Sequence, residues 1–216
     1  MQFLKNWNKE KNCALKNKHQ PINALILFIK NPEKGKVKTR LASTVGDDRA
    51  LEIYRALLAH TRTVTLEVDA TRMLFYSQRI TEGDEWLRRD FQKYQQADGD
   101  LGDRMEAAFQ RAFEQHDRVI IIGSDCISLT SEIVSEGFLK LEQHDFVLGP
   151  ALDGGYYLLG MNSFSPTLFR DMPWSTESVA SLTRQRITDL GKTIYELPPL
   201  SDIDYEEDWE RYGKSK

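Results

Sequence analysis

The chain has 216 residues, a formal net charge of -4 and 40% hydrophobic residues, enough for one domain that buries roughly 70% of the surface its unfolded chain exposes. A pI near 5.7 excludes general adhesion to nucleic acid or to an anionic membrane surface. The longest apolar runs, NALILFI and RVIIIG, fall far short of the ~20 residues that cross a bilayer, so no membrane span is expected.

Residues 1–22 read as a Lys-rich N-terminal extension with neither a continuous apolar segment nor a small-residue cleavage site. The extension does not read as a secretory signal, and we expect a cytoplasmic protein. Cys13, in this extension, and Cys126, at a core edge, read as free thiols. From residue 23 to about 212 we expect one domain, because apolar strand-like runs alternate with helical periodicity. This is the pattern of an α/β fold whose mostly parallel sheet is flanked by helices. Predicted strands are Ala24–Ile29, Thr71–Tyr76, Arg118–Ile122, Phe146–Gly149, Tyr156–Gly160 and Thr193–Leu197, mostly the continuous apolar runs of buried strands. A helix behind the candidate caps Asp47 and Asp48 places Leu51, Tyr54, Leu58 and Thr61 on one face, and a second groups Leu101, Met105, Ala108, Phe109 and Ala112. Others are expected to open near Thr130, near Ser175 or Thr176, and near Tyr205. In GPALDGGYYLLG, residues Asp153, Gly154 and Gly155 separate two apolar runs as a hairpin turn does.

Open α/β sheets bind ligands beyond the carboxyl ends of their strands. The first such loop is KNPEKGKVKTRL, with Lys30, Lys34, Lys36, Lys38 and Arg40 around Gly35. Gly35 can adopt angles closed to other residues, and Lys36, Lys38, Thr39 and Arg40 can donate to phosphate oxygens. Neither a P-loop nor a dinucleotide fingerprint is present. After the central strand, Asp125 follows Gly123 and Ser124; it is a metal-ligand candidate if a nucleotide binds there, and otherwise a cap. After the last strand, Asp202 and Asp204 stand at another carboxyl end, and Asp204 is the candidate second ligand or the cap of the following helix. Glu206, Glu207, Asp208 and Glu210 read as the solvated first turns of that helix.

Asp153 is the candidate to hydrogen-bond or deprotonate an acceptor hydroxyl, with Gly154 and Gly155 allowing close approach to donor sugar or acceptor. Of Tyr156 and Tyr157, at most one faces a site. Leu101, Gly102 and Arg104 open a helix that could hold an anion or a base edge. Trp174 is either an acceptor wall or a buried staple. The four histidines lack metal-ligand spacing and are assigned no catalytic role.

Taken in order, ALILFIKNPEKGKVKTRLA, DGDLGDRMEAAF, IIIGSDCISLT, LGPALDGGYYLLG, MPWST and DIDYEEDW resemble the bacterial glycosyltransferase-like family with the GT-A, nucleotide-diphospho-sugar transferase fold, which includes arsenosugar-biosynthesis-type relatives. The resemblance implies a Rossmann-like mixed sheet, phosphate contacts from Lys30, Lys38, Thr39 and Arg40, and Mg²⁺ or Mn²⁺ on Asp125 and Asp204. Where the family has DCP this chain has DCIS, with Ile127 and Ser128 in place of a rigid turn. Tyr205 and Glu206 likewise replace a Thr-Pro pair. The function implied is metal-dependent transfer from a nucleotide-activated donor to a small-molecule acceptor, foremost glycosyl transfer from a sugar nucleotide, with Asp153 and Arg40 as catalytic candidates. The alternatives are nucleotidyl transfer from a nucleoside triphosphate to a small phosphorylated or acidic acceptor, with release of pyrophosphate, and a noncatalytic nucleotide-binding module.

Overall fold

A computed structural model describes residues 21–213; of the N-terminal extension only Pro21 and Ile22 fall within it, so Cys13 lies outside the described residues. Seven strands form one sheet in the order β3-β2-β1-β4-β6-β5-β7. They are β1 Asn23–Ile29, β2 Thr71–Tyr76, β3 Gln92–Gln95, β4 Arg118–Ile122, β5 Phe146–Pro150, β6 Tyr156–Met161 and β7 Ile194–Glu196. All pairings are parallel except those of β6 with β4 and β5, which gives the expected mostly parallel mixed sheet. The six predicted strands are present. The seventh, β3, went unpredicted because QKYQ has no apolar run: it is an edge strand whose Lys93 is buried against Asp84 at 2.6 Å.

Helices cover both faces: α1 Thr39–Val45, α2 Asp47–Leu66, α3 Leu101–Phe113, α4 Ser131–Lys140, α5 Val179–Asp189 and the short α6 Glu206–Asp208. On one face Leu25, Leu27, Ile120, Ile122 and Leu158 of the sheet pack with Leu41 of α1, Ile53 and Leu57 of α2, and Phe138 of α4. On the other, Ala24, Ile26, Val119, Ile121 and Leu159 meet Met105 and Phe109 of α3 and Ile187 of α5. Each large apolar side chain so buried stabilises the fold by about 1.5–3 kcal/mol. Among the described residues no helix is long and apolar enough to cross a membrane.

Three helix starts differ from expectation. Residues 39–45 are helical although their sequence reads as a cationic loop, because Leu41 is drawn into the core while Lys38 turns the chain in a left-handed conformation at φ 47°. For α2 the N-cap is Gly46, and Asp47 and Asp48 stand in the first turn, where the helix dipole favours acids. Helix α5 begins only at Val179, since residues 171–178 fold as a loop with left-handed Asp171 and Ser175.

Between β1 and β4 the strand order reverses direction, because β1 leads to β2 on one side while β4 lies on the other. A crevice opens beyond their carboxyl ends, and the loops after both strands meet there.

Candidate active site

Lys38 is the centre of this crevice. Its side chain is only 5% exposed, and its Nζ lies 2.9 Å from Asp125 Oδ1 and 3.3 Å from Asp204 Oδ1. Arg40, on the first turn of α1, reaches the other oxygen of Asp204 at 3.0 Å. Burial disfavours the Lys38 charge, but the carboxylates of Asp125 and Asp204 outweigh it and raise the ammonium above its ordinary value. Lys38 therefore stays charged.

The backbone beneath is tied together by groups that did not read as functional in the sequence. Tyr54 of α2 accepts from the Lys30 N–H at 2.8 Å and donates to the Lys30 carbonyl at 3.1 Å, with Ser124 Oγ at 3.4 Å. One phenol thus joins the loops after β1 and β4, and burial holds it protonated. In sequence Tyr54 is simply one more member of an apolar helical face. The Ile203 N–H donates to the Asp125 carbonyl at 2.9 Å, which locks the two aspartate-bearing loops in register. Asp208 accepts from the N–H groups of Asp204 and Tyr205 at 3.0 and 2.8 Å, so it is a cap rather than a solvated acid, and Asp204 caps nothing with its own carboxylate. Ile127, standing where the resembled family has proline, is 4% exposed and packed in the core; packing anchors the loop that proline would have stiffened.

Asp202, placed at a strand's carboxyl end by the sequence but given no role there, is half-buried beside Asp125 and Asp204. Burial first and the charge of Asp125 next raise its carboxyl to about 7, with lesser help from Asp153 and Asp204 and against the opposing charge of Lys38. Asp125, Asp153 and Asp204 thus all lie within electrostatic reach of Asp202. Asp153 itself is exposed, with Oδ1 accepting from the Gly155 N–H at 2.9 Å.

Other expected residues are placed differently. Lys34 pairs with Asp48 at 2.7 Å and Lys36 with Glu33 at 2.6 Å, so both are spent on neighbouring acids; Lys30 is exposed. Gly35 has φ 74° and makes the expected tight turn. Gly154 is pressed against its own chain: a Cβ there would stand 2.1 Å from the Glu177 carbonyl oxygen. Its carbonyl accepts from the Ala180 N–H at 2.9 Å, coupling the Asp153 turn to the loop that carries Trp174. Gly102 is buried with the Trp174 indole and the Phe169 carbonyl against it. Trp174 is thereby half-buried as a staple at the start of α3, and its Nε1 has no hydrogen-bond partner among the described residues. Leu101 remains 41% exposed, Arg104 Nε donates to the Gly99 carbonyl at 3.1 Å, and a reciprocal Asp100–Asp103 capping box closes the helix end. Tyr156 and Tyr157 both face core layers, with their hydroxyls on Met105 and Pro198, so neither enters the crevice.

Asp125 and Asp204 come from different loops yet converge on one cationic nitrogen, and all their ligating atoms are hard oxygens. Mg²⁺ takes one or two carboxylates plus phosphate oxygens, so these residues fit such an ion. Among the described residues no group of three or more His, Cys, Asp or Glu side chains forms a ready-made metal site.

The family model described as uncharacterized protein conserved in bacteria, DUF2064, matches residues 58–176, more than half of the chain. The chain belongs to the DUF2064 family. The match runs from within α2 to the loop after Trp174 and includes Asp125 and Asp153. A solved structure from Desulfovibrio desulfuricans G20, provisionally named a nucleotide-diphospho-sugar transferase, is 32% identical with a TM-score of 0.79, over 86% of this chain and 84% of that one. The inositol-1-phosphate CTP transferase of T. maritima is 12% identical with a TM-score of 0.56, over 90% and 95%. A CMP:2-keto-3-deoxy-manno-octonic acid synthetase solved with CTP is 11% identical with a TM-score of 0.55, over 88% and 96%. The last two share the fold alone. Among curated proteins none matches this chain. The DUF2064 chain thus has the fold of nucleotide-diphospho-sugar transferases and nucleotidyltransferases.

Proposed function

We propose that the protein is a metal-dependent transferase acting on a nucleotide-activated donor, foremost by glycosyl transfer from a sugar nucleotide to a small-molecule acceptor. The observation that carries this reading is the meeting of Lys38 and Arg40 with Asp125 and Asp204 at the β1/β4 crevice. Asp125 and Asp204 would hold Mg²⁺ or Mn²⁺, which supplies screening of the phosphates and of the charge that develops on the leaving oxygen. Lys38, Arg40, Lys30 and Thr39 contact the phosphate oxygens as charged or hydroxyl donors. Asp153, exposed at the tip of the β5–β6 turn, accepts the acceptor's hydroxyl proton. The name of the D. desulfuricans relative supports the sugar-nucleotide form of the reading.

A second reading, nucleotidyl transfer, is favoured by one observation: the two candidate ligands come from separate loops, after β4 and after β7, with no paired aspartates directly after β4. Product analysis separates the two. Incubated with Mn²⁺ and panels of sugar nucleotides or nucleoside triphosphates plus candidate acceptors, the protein should release a nucleoside diphosphate in the first case and pyrophosphate in the second. Asp125→Ala should abolish release while the fold persists. Metal-independent nucleotide binding without turnover, or an unimpaired Asp125→Ala, would refute the assignment.

A further inference from the structure

Asp125 and Asp204 already have a cation between them. The Lys38 ammonium lies within 3.3 Å of both carboxylates and its side chain is 5% exposed, whereas Lys34 and Lys36 in the same loop are committed to Asp48 and Glu33. Arg40 touches Asp204 only, from an exposed position. The oxygens a divalent ion would need are therefore the ones Lys38 uses, and a desolvated ammonium leaves such partners only for another anion of comparable strength. Phosphate oxygens beyond the carboxyl end of β1 are such partners.

We infer that Lys38 keeps the aspartate pair closed to a free divalent cation and yields it only when the phosphates of a nucleotide take the ammonium instead. This rests on the reading of Asp125 and Asp204 as metal ligands. Lys38 makes the two binding events interdependent: nucleotide opens the carboxylates, and by reciprocity of linkage an occupied pair frees Lys38 for phosphate. The left-handed backbone of Lys38, φ 47° and ψ 46°, costs a non-glycine residue energy, and the paired ammonium offsets it.

The test is direct titration of the full chain with Mn²⁺ alone, reading the electron paramagnetic resonance signal of the free ion. Wild type is compared with Lys38→Met, Lys38→Gln and the control Lys34→Met, all at one pH and ionic strength, with folding checked by thermal unfolding. Removing the lysine should tighten Mn²⁺ binding by about tenfold or more, within the usual range of coupling between sites. The control, which removes the same charge from the same loop, should stay within about twofold, as befits a screened surface pair. Lys38→Gln keeps a polar side chain of similar reach and serves if the Met variant fails to fold. Equal affinity in wild type and both Lys38 variants, or an equal gain in Lys34→Met, overturns the inference and leaves the metal reading standing. No Mn²⁺ binding by any of these proteins overturns both.

Discussion

Gly154→Ala is the substitution whose effect the structure fixes most tightly. The residue has φ 91°, in the region where a Cβ costs roughly 1–2 kcal/mol. The added methyl would also stand 2.1 Å from the Glu177 carbonyl oxygen and 2.5 Å from its Cα, both backbone atoms that cannot rotate away. Forcing an extra methyl into such a contact costs typically ~1–3 kcal/mol, and the 2.9 Å hydrogen bond from Ala180 to the Gly154 carbonyl adds about 1 kcal/mol if lost. A destabilisation of roughly 2–6 kcal/mol follows, measured by urea denaturation at pH 7 with the slope unchanged. Because the same contact couples the Asp153 turn to the Trp174 loop, transfer activity should fall even where the protein is still folded. A loss under about 1 kcal/mol would refute the argument, since neither the strain nor the clash could then exist.

Asp202→Asn should stabilise the protein in a pH-dependent manner. The parent carboxyl, raised by burial and by Asp125 to about 7, binds its proton more tightly folded than unfolded, so parent stability falls as pH rises from the ordinary carboxylate value through 7. Urea titrations should show the variant's advantage absent near pH 4 and on the order of 2–4 kcal/mol at pH 8; an advantage constant with pH would contradict this. At position 38 the usual ranking should invert: Lys38→Gly, relieved of the left-handed penalty at φ 47°, should be about 1 kcal/mol more stable than Lys38→Ala in thermal unfolding. Equal stabilities would mean that the backbone there is not strained. Trp174→Phe should change stability by less than about 1 kcal/mol, because loss of the buried, unpartnered Nε1–H compensates for lost contact. Trp174→Ala should cost clearly more, and a Phe variant as poor as the Ala variant would count against this.

What could be read in the sequence followed from chemistry local in the chain. ALILFI and RVIII are buried on both faces as parallel strands must be, and DGG between apolar runs gave the hairpin, so the fold and the place of the crevice were legible. QKYQ was not, because the Lys93 charge that disqualifies it as a strand is cancelled by Asp84, whose position depends on the whole 77–91 crossover. Nor was α1: its start rests on Lys38 in a conformation unusual for lysine, held by carboxylates 87 and 166 residues away. The site shows the same division. Asp125 and Asp204 could be placed at the crevice from their positions after strands, whereas the burial of Asp202 and the bridging by Tyr54 exist only once the loops have met.

The charge of the first loop takes on a different meaning in that light. Of its cations, Lys34 and Lys36 answer neighbouring acids, while Lys38 and Arg40 answer Asp125 and Asp204. In this structure Lys38 and Arg40 thus serve as the counter-charge to a crevice rich in aspartate. A polyphosphate entering alone would add negative charge beside Asp125, Asp153 and Asp204, which, after burial, already raise the Asp202 carboxyl. Such a ligand gains affinity only if further positive charge accompanies it or if protons are taken up. On the proposed reading, a divalent cation delivered with the nucleotide would meet that requirement and at the same time release Lys38 and Arg40 to the phosphates. The acidity that at first sight opposes nucleotide binding is therefore what would make that binding conditional on the metal.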